Sequence, residues 1–260
     1  MTKKKGTENN YPLFYSYNKT NTTNKKGKNV MRSLKVLSLY LFIFVSSFIL
    51  SSCSDDDEKI VTPPVEKSKV LVTHASPDAP GVDLLVDNTV AGTNLTFPNN
   101  TGYLEVNSGT RNIKVNVTGT STTALEANLN LSTDKNYSVF AVNNVASIEA
   151  VVLEDNLTTP ASGKAHIRFI HLSPDAPAVD ITLTSGTVVF GDYIFKEASA
   201  FTPLDAGTYD LQVRLAGTST VVLDLPGINL TAGKIYTVFA KGLVSGSGTQ
   251  ALGAQIIVNK

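Results

Sequence analysis

The fold of this chain is decided by the stretch His74-Ala-Ser-Pro-Asp-Ala-Pro-Gly-Val-Asp83, which returns as His171-Leu-Ser-Pro-Asp-Ala-Pro-Ala-Val-Asp180. A string of this length that occurs twice predicts a duplicated domain. In each copy proline fixes φ, the serine before it is held extended, and the aspartate carboxylate can cap nearby backbone amides. Each copy is therefore predicted to form a shaped corner between two strands.

Alternating apolar residues flank both corners. Side chains two positions apart on a strand point to the same face, so the alternation predicts strands with one face in a core. Before the corner, the residues that share a face are Val70, Val72 and His74 in the first copy and Ile167, Phe169 and His171 in the second. After the corner they are Val82, Leu84 and Val86 in the first copy and Val179, Ile181 and Leu183 in the second.

An active site would need the same residue types as a rigid corner, but the spacing favours the corner. His171, Ser173 and Asp175 crowd into one turn, which leaves no geometry for a nucleophile, a base and an orienting group. His166 lies an odd number of residues before His171, so the two rings are expected on opposite faces of a strand, which argues against a shared metal. The sequence also lacks the Asp-x-Asp-x-Asp-Gly loop of a calcium site.

We therefore predict no catalytic residue, no metal ligand and no cofactor, and a hydrolase is the least favoured function. The motif residues are interpreted as determinants of the fold. They are His74, Ser76, Pro77, Asp78, Pro80 and Asp83 in the first copy, and His171, Ser173, Pro174, Asp175, Pro177 and Asp180 in the second.

The match between the copies extends beyond the corner. Residues 109–119 are similar in sequence to residues 207–217, and residues 130–141 are similar to residues 229–240. With the two corner motifs, these segments resemble the bacterial domain of unknown function forty-three ninety-seven, which is found as β-rich repeats in secreted and envelope proteins. The resemblance covers about residues 69 to 258. That family has no established catalytic residues, so the resemblance implies none here.

Short β-branched segments separated by Gly, Asn, Pro and Ser clusters predict an all-β chain with two tandem immunoglobulin-like antiparallel β-sandwich domains. In the second copy Asp205-Ala-Gly-Thr-Tyr209 is similar to a tyrosine corner, whereas the first copy has Arg111 at the place of Tyr209. The predicted divisions are an N-terminal extension with a lipoprotein signal peptide (1–52), an acidic and proline-containing flexible tether (53–68), a first sandwich (69–156), a linker (157–164) and a second sandwich (165–260). The small residues and proline of the linker predict modest relative freedom of the two sandwiches.

The N-terminal region predicts export and lipidation. The apolar run from Val36 to Leu50 is too short for a membrane-spanning helix and suits the apolar region of a signal peptide. It ends in Leu50-Ser-Ser-Cys53, which is similar to the bacterial lipobox, and Cys53 is the single cysteine of the chain. Acylation of Cys53 is therefore predicted. Translation can start at Met1 or at Met31, where a short basic segment precedes the apolar run.

An acidic cluster, Ser54-Asp-Asp-Asp-Glu58, follows the cysteine directly. It resembles the export signal that sends lipoproteins of the Bacteroidetes type to the outer face of the outer membrane. The alternative interpretations are a solvated linker and a protein on the periplasmic face.

The charge of the chain excludes some partners. Residues 53–260 hold 13 Lys and Arg against 21 Asp and Glu, a net charge of −8. Such an acidic module without a basic patch is a poor partner for nucleic acid. We expect a lipid-anchored envelope protein that acts as a non-catalytic binding, adhesion or structural module. The alternative is a glycan-binding accessory protein of a surface polysaccharide-uptake system, in which Tyr103 and Tyr193 would be exposed platforms for sugar rings.

Overall fold

A computed structural model describes residues 64–260 of the chain. Its regular structure is β throughout, apart from two short 3-10 turns at Val145–Ser147 and Gly248–Gln250. The strands form four sheets that pack as two β-sandwiches, so the predicted fold class is confirmed. Within these residues, no helix has the length and apolar character needed to cross a membrane. The predicted signal peptide, Cys53 and the acidic cluster lie outside the described residues.

The strands of the two sandwiches follow the same order along the chain. The first sandwich contains β1 (Lys67–His74), β2 (Val82–Val86), β3 (Thr89–Leu95), β4 (Asn100–Asn107), β5 (Gly109–Val117), β6 (Thr123–Leu131), β7 (Asn136–Val142) and β8 (Glu149–Glu154). The second contains β9 (Lys164–His171), β10 (Val179–Leu183), β11 (Val188–Tyr193), β12 (Thr202–Asp205), β13 (Gly207–Leu215), β14 (Val221–Leu230), β15 (Ile235–Lys241) and β16 (Gly253–Val258).

The sheet topology is identical in the two sandwiches. The first has sheets β4-β1-β7-β8 and β3-β2-β5-β6, and the second has β12-β9-β15-β16 and β11-β10-β13-β14. Neighbouring strands are antiparallel, except that β1 pairs with β7, and β9 with β15, in parallel. Each sandwich thus has one mixed sheet, which periodicity cannot predict because alternation does not reveal strand direction.

Each sandwich has its own core, built from the predicted alternation. Val70 and Val72 on β1 pack with residues of β2, β5 and β7 in the first core. Ile167 and Phe169 on β9 pack with the corresponding strands in the second core. The two sheets of each sandwich therefore bury their facing sides against each other, as the sequence predicts.

A third apolar cluster lies between the two sandwiches. Phe140 on β7 and Phe239 on β15 are fully buried there, with their rings edge to face and centroids 6.1 Å apart. The buried members of this cluster are Leu71, Ala75, Phe140 and Val142 from the first sandwich and Ile170, Leu172, Phe239 and Ile257 from the second. The two mixed sheets are thus covered on both faces, by their own core and by the other sandwich.

The predicted freedom between the sandwiches is therefore wrong. The composition of a linker describes only the linker, whereas the contact is made by the outer faces of β1, β7, β9 and β15. All described residues belong to one compact unit.

Candidate functional site

The two corners make the same histidine contact. His74 Nε2 lies 2.9 Å from the carbonyl oxygen of Pro80, and His171 Nε2 lies 3.1 Å from that of Pro177. A carbonyl oxygen only accepts hydrogen bonds, so we assign the ring proton to Nε2 and a bare lone pair to Nδ1. Burial lowers the pKa of both histidines, although the bonds to the proline carbonyls act in the opposite direction. Each ring is therefore neutral, and its hydrogen bond to the proline carbonyl holds the two sides of the corner together.

The aspartate of each corner binds a loop that is distant in sequence. Asp78 Oδ1 accepts the backbone N–H of Val145 at 2.8 Å. In the second copy, Asp175 accepts the N–H of Val244 with both oxygens, at 2.9 and 3.1 Å. Capping of amides was predicted, but these amides lie in the loop after the seventh strand of the sandwich and not within the turn. Each carboxylate therefore connects the corner to that loop.

The last aspartate of each motif connects a neighbouring strand to a turn. Asp83 accepts the backbone N–H groups of Asn94 at 2.9 Å and Gly119 at 3.0 Å. These hydrogen bonds lower the pKa of the Asp83 carboxyl. The corresponding bonds of Asp180 come from Asp192 at 2.7 Å and Gly217 at 2.9 Å. In both copies this side chain therefore connects the end of the third strand to the turn after the fifth strand.

The corner does not assemble a catalytic relay. The hydroxyl of Ser173 lies 2.7 Å from the carbonyl oxygen of Gly242 and 3.4 Å from Asp175, while His171 faces Pro177. Among residues 64–260, no group of three or more His, Cys, Asp or Glu side chains is arranged to hold a metal ion. That the motif residues determine the fold stays a prediction.

The predicted tyrosine corner is present in the second sandwich, where the Tyr209 hydroxyl donates to the carbonyl oxygen of Asp205 at 2.8 Å. At the same place in the first sandwich, Arg111 bonds to Asp87 at 2.9 Å. A cavity of about 540 Å³ opens beside Arg111. Its lining includes Ser108, Ser132 and Thr133.

The proposed sugar platforms are not exposed, so that prediction is wrong. The hydroxyl of Tyr103 donates to Asp155 between the sandwiches, and burial and the Asp155 charge raise the pKa of this phenol. Tyr193 packs edge to face on Phe169, with centroids 5.7 Å apart, and on Phe190. Every aromatic side chain from residue 64 onward is buried or half-buried. For Tyr103, strand alternation did not reveal this burial because β4 belongs to a mixed sheet that is covered on both faces. Tyr193 instead packs against the core of its own sandwich.

A buried polar cluster between the sandwiches was not anticipated. Arg168 Nη1 lies 2.7 Å from Asp155 Oδ1, with side chains 3% and 0% exposed. Arg168 Nη2 donates to Ser138 Oγ at 2.9 Å, and Ser138 in turn donates to Asp155 at 2.6 Å. We call this the interface cluster; its members are Tyr103, Ser138, Asp155, Arg168, Thr237 and Asn259. The signal that could have revealed it is the single charge in the apolar run Ile167–Ile170.

Comparison with known proteins agrees with the sequence resemblance. A family model described as Domain of unknown function (DUF4397) matches residues 68–182, that is, the first sandwich, the linker and the first two strands of the second. The predicted resemblance is confirmed for these residues. No curated protein matches the chain.

One solved structure that matches is a carbohydrate-binding module of family CBM26 from Eubacterium rectale Amy13K, in complex with maltoheptaose. The identity is 9%, the TM-score is 0.22, and the match covers 73% of this chain and 96% of that chain. A likeness of this size supports no argument about ligand.

Proposed function

We propose that this chain is a bacterial outer-membrane lipoprotein, anchored by acyl groups on Cys53, whose two sandwiches act as a non-catalytic binding, adhesion or structural module. The observation that carries the proposal is the order of its segments. An apolar run ends in Leu50-Ser-Ser-Cys53, an acidic stretch follows, and the first strand begins at Lys67. A lipid supplies the location, and the sandwich loops or strand edges supply the contact with a partner. We place the protein on the face of the membrane directed to the cell exterior.

The corner contacts support a non-catalytic role. A hydrolase needs a hydroxyl within hydrogen-bond reach of a base. In the second corner the Ser173 hydroxyl and the His171 ring instead bond to the backbone carbonyls of Gly242 and Pro177. The side chains that could have formed an active site are thus occupied in holding loops together.

Glycan binding remains a second candidate because of one groove in the first sandwich. This groove, of about 260 Å³, lies between the edge strands β3 and β4. Its polar lining consists of uncharged amides and hydroxyls from Thr93, Asn94, Thr96, Asn99, Asn100 and Thr101. Such groups can bond to sugar hydroxyls, and Leu95 and Leu104 supply apolar surface. A glycan screen with the wild type and an Asn99→Ala/Thr101→Ala variant tests this role, and equal binding by the two proteins would exclude the groove.

Protease shaving of intact cells tests the main proposal. Digestion in intact cells, detected by a blot for the second sandwich, supports display on the exterior. Protection in intact cells with digestion after lysis would place the protein on the periplasmic face instead. A Cys53→Ser variant is the control for anchoring: it should lose incorporated fatty acid and leave the membrane fraction. Retention of both by this variant would contradict lipidation at Cys53.

A further inference from the structure

The contact between the sandwiches brings equivalent residues of the two copies together. Phe140 and Phe239 occupy the same position in β7 and β15, and they touch each other. An interface in which a surface patch meets its own counterpart is isologous, with two-fold symmetry. The strand register also shows which other residues occupy equivalent positions in the two sandwiches. These are Leu71 and Arg168, Tyr103 and Phe201, Ser138 and Thr237, and Asp155 and Asn259.

In the fully buried part of the interface, charge breaks this symmetry at one point. Arg168 from the second sandwich pairs with Asp155 from the first. The same two-fold relation matches Leu71 with Asn259, and both of these residues are uncharged. Asn259 donates to the Tyr103 hydroxyl at 3.1 Å, and Tyr103 lies opposite Leu71 in the β1–β4 pairing. One half of the buried interface therefore carries an ion pair, and the symmetric counterpart of this pair carries no charge.

We propose that the outer face of the mixed sheet is a pairing surface for a second sandwich of the same type, and that the Arg168–Asp155 pair makes it select the unlike copy. A pair of two first sandwiches would set Leu71 against Asp155 twice, burying two carboxylates without a cation. A pair of two second sandwiches would set Arg168 against Asn259 twice, burying two guanidinium groups without an anion. A buried charge without its partner is strongly unfavourable, so only the unlike pair is stable.

This selection has a consequence for chains that stand close together. Every chain presents both kinds of sandwich, and a surface that accepted like copies would link neighbouring chains through their identical domains. The charge pair opposes that cross-linking because each like contact leaves its charges uncompensated. The two sandwiches of one chain are already joined by a short linker, so pairing within the chain is favoured by effective concentration.

Three variants of the full-length chain test whether Arg168 and Asp155 stabilise the fold as a coupled pair. Arg168→Leu places in the second sandwich the leucine that the first has at Leu71. Asp155→Asn places in the first sandwich the amide that the second has at Asn259. Each single variant leaves one buried charge unpartnered and should lower the unfolding midpoint. The double variant removes both charges and should recover most of the loss. Losses that simply add in the double variant would overturn the coupling on which the proposal depends.

Selectivity itself is measured after the linker is cut. A protease site replaces residues 158–162 of the full-length chain, the folded protein is cleaved, and native mass spectrometry counts the pairs after the halves have exchanged. In the wild type, unlike pairs should exceed like pairs by more than about a hundredfold. In the Arg168→Leu/Asp155→Asn variant, like pairs should appear in comparable amounts.

A matched control uses the other ion pair between the sandwiches, Lys196–Glu149, at 3.2 Å and about one-third exposed. A Lys196→Met/Glu149→Gln variant should stay selective, because a pair that is one-third exposed contributes little. The proposal is overturned by like pairs in the cleaved wild type or by persistent selectivity in the charge-free variant. Unfolding of the wild-type halves on cleavage would also overturn it, since the face would then not pair folded sandwiches.

Discussion

His74 and His171 are buried as neutral rings, and this makes the stability of the fold depend on pH. Burial lowers the pKa of both from the ordinary value of 6.5, so the unfolded chain takes up protons before the folded chain does. Their contribution is complete above pH 6.5 and declines as the pH falls towards the folded-state pKa values. The free energy of unfolding should fall below pH 6.5 by up to about 1.4 kcal/mol per pH unit for each histidine.

Urea unfolding of the wild type and of His171→Gln between pH 8 and pH 5 measures this dependence. Glutamine keeps an N–H for the Pro177 carbonyl but does not titrate, so the variant should lose up to half of the slope. Equal slopes for the wild type and His171→Gln would contradict the account.

The carboxylate of Asp175 should protect a single distant amide. Its two oxygens accept the N–H of Val244, so Asp175→Ala should speed hydrogen exchange at Val244. The free energy of unfolding should fall by about 1 kcal/mol, the usual value of one such bond. Glu105→Ala removes an exposed carboxylate whose ion pair with Lys67 is long, at 3.8 Å, and should change neither quantity. Unchanged exchange at Val244 would show that the corner does not hold this loop.

At the level of strands, the paired strands β9 and β15 carry aromatic side chains that face two different cores. Phe239 faces the other sandwich, whereas Phe169 on the paired strand β9 faces the core of its own sandwich. Both rings are almost fully buried, so Phe239→Ala and Phe169→Ala should each cost about 3–5 kcal/mol of stability. Only Phe239→Ala weakens the contact between the sandwiches. Calorimetry should therefore show two separate transitions for this variant and one for Phe169→Ala. A single transition for Phe239→Ala as well would mean that the Phe239 contact is not what couples the two units.

The corners and the sandwich strands could be predicted from the sequence because they depend on local chemistry. Proline and aspartate in the repeated string specify a turn, and the alternation of Val70 and Val72 marks a strand with an inner face. The interface could not be predicted in the same way. The run Ser138–Val142 has few polar residues, and such a run is typical of a strand buried on both faces. The sequence does not tell which surface covers the second face.

The candidate site was predicted in part for the same reason. The motif aspartates were expected to cap amides, and they do so, but Asp78 and Asp175 reach loops that come close only in the folded sandwich. Tyr103 was assigned to an exposed surface, but its strand β4 belongs to a mixed sheet that is covered on both faces. Its actual partner, Asp155, lies between the two sandwiches, where no local pattern places it.

For the whole molecule, the interface should fix the shape independently of the linker. A flexible Gly/Ser insertion of roughly ten residues at positions 158–162 should leave the radius of gyration almost unchanged, because a longer linker costs little entropy. The same insertion combined with Phe239→Ala should expand the molecule. Small-angle X-ray scattering measures both. If the insertion expanded the molecule without the Phe239→Ala change, the two sandwiches would move freely, as the linker composition predicts.

Substitutions in the acidic segment after Cys53 can test membrane anchoring and surface display separately. We expect a variant with Asp55, Asp56 and Asp57 changed to Asn, and Glu58 to Gln, to remain acylated and in the membrane fraction, because the lipobox is intact. If the acidic cluster is the export signal, this variant should become protected from protease in intact cells.

The control for this experiment makes the same charge change on the folded unit, at the exposed residues Glu105, Glu126, Asp210 and Asp224. This variant should be shaved like the wild type, because a general change of net charge does not alter a signal read directly after the lipid. Shaving of the tether variant at the wild-type rate would mean that the cluster is a solvated spacer, and that another feature of the chain determines which face of the membrane it occupies.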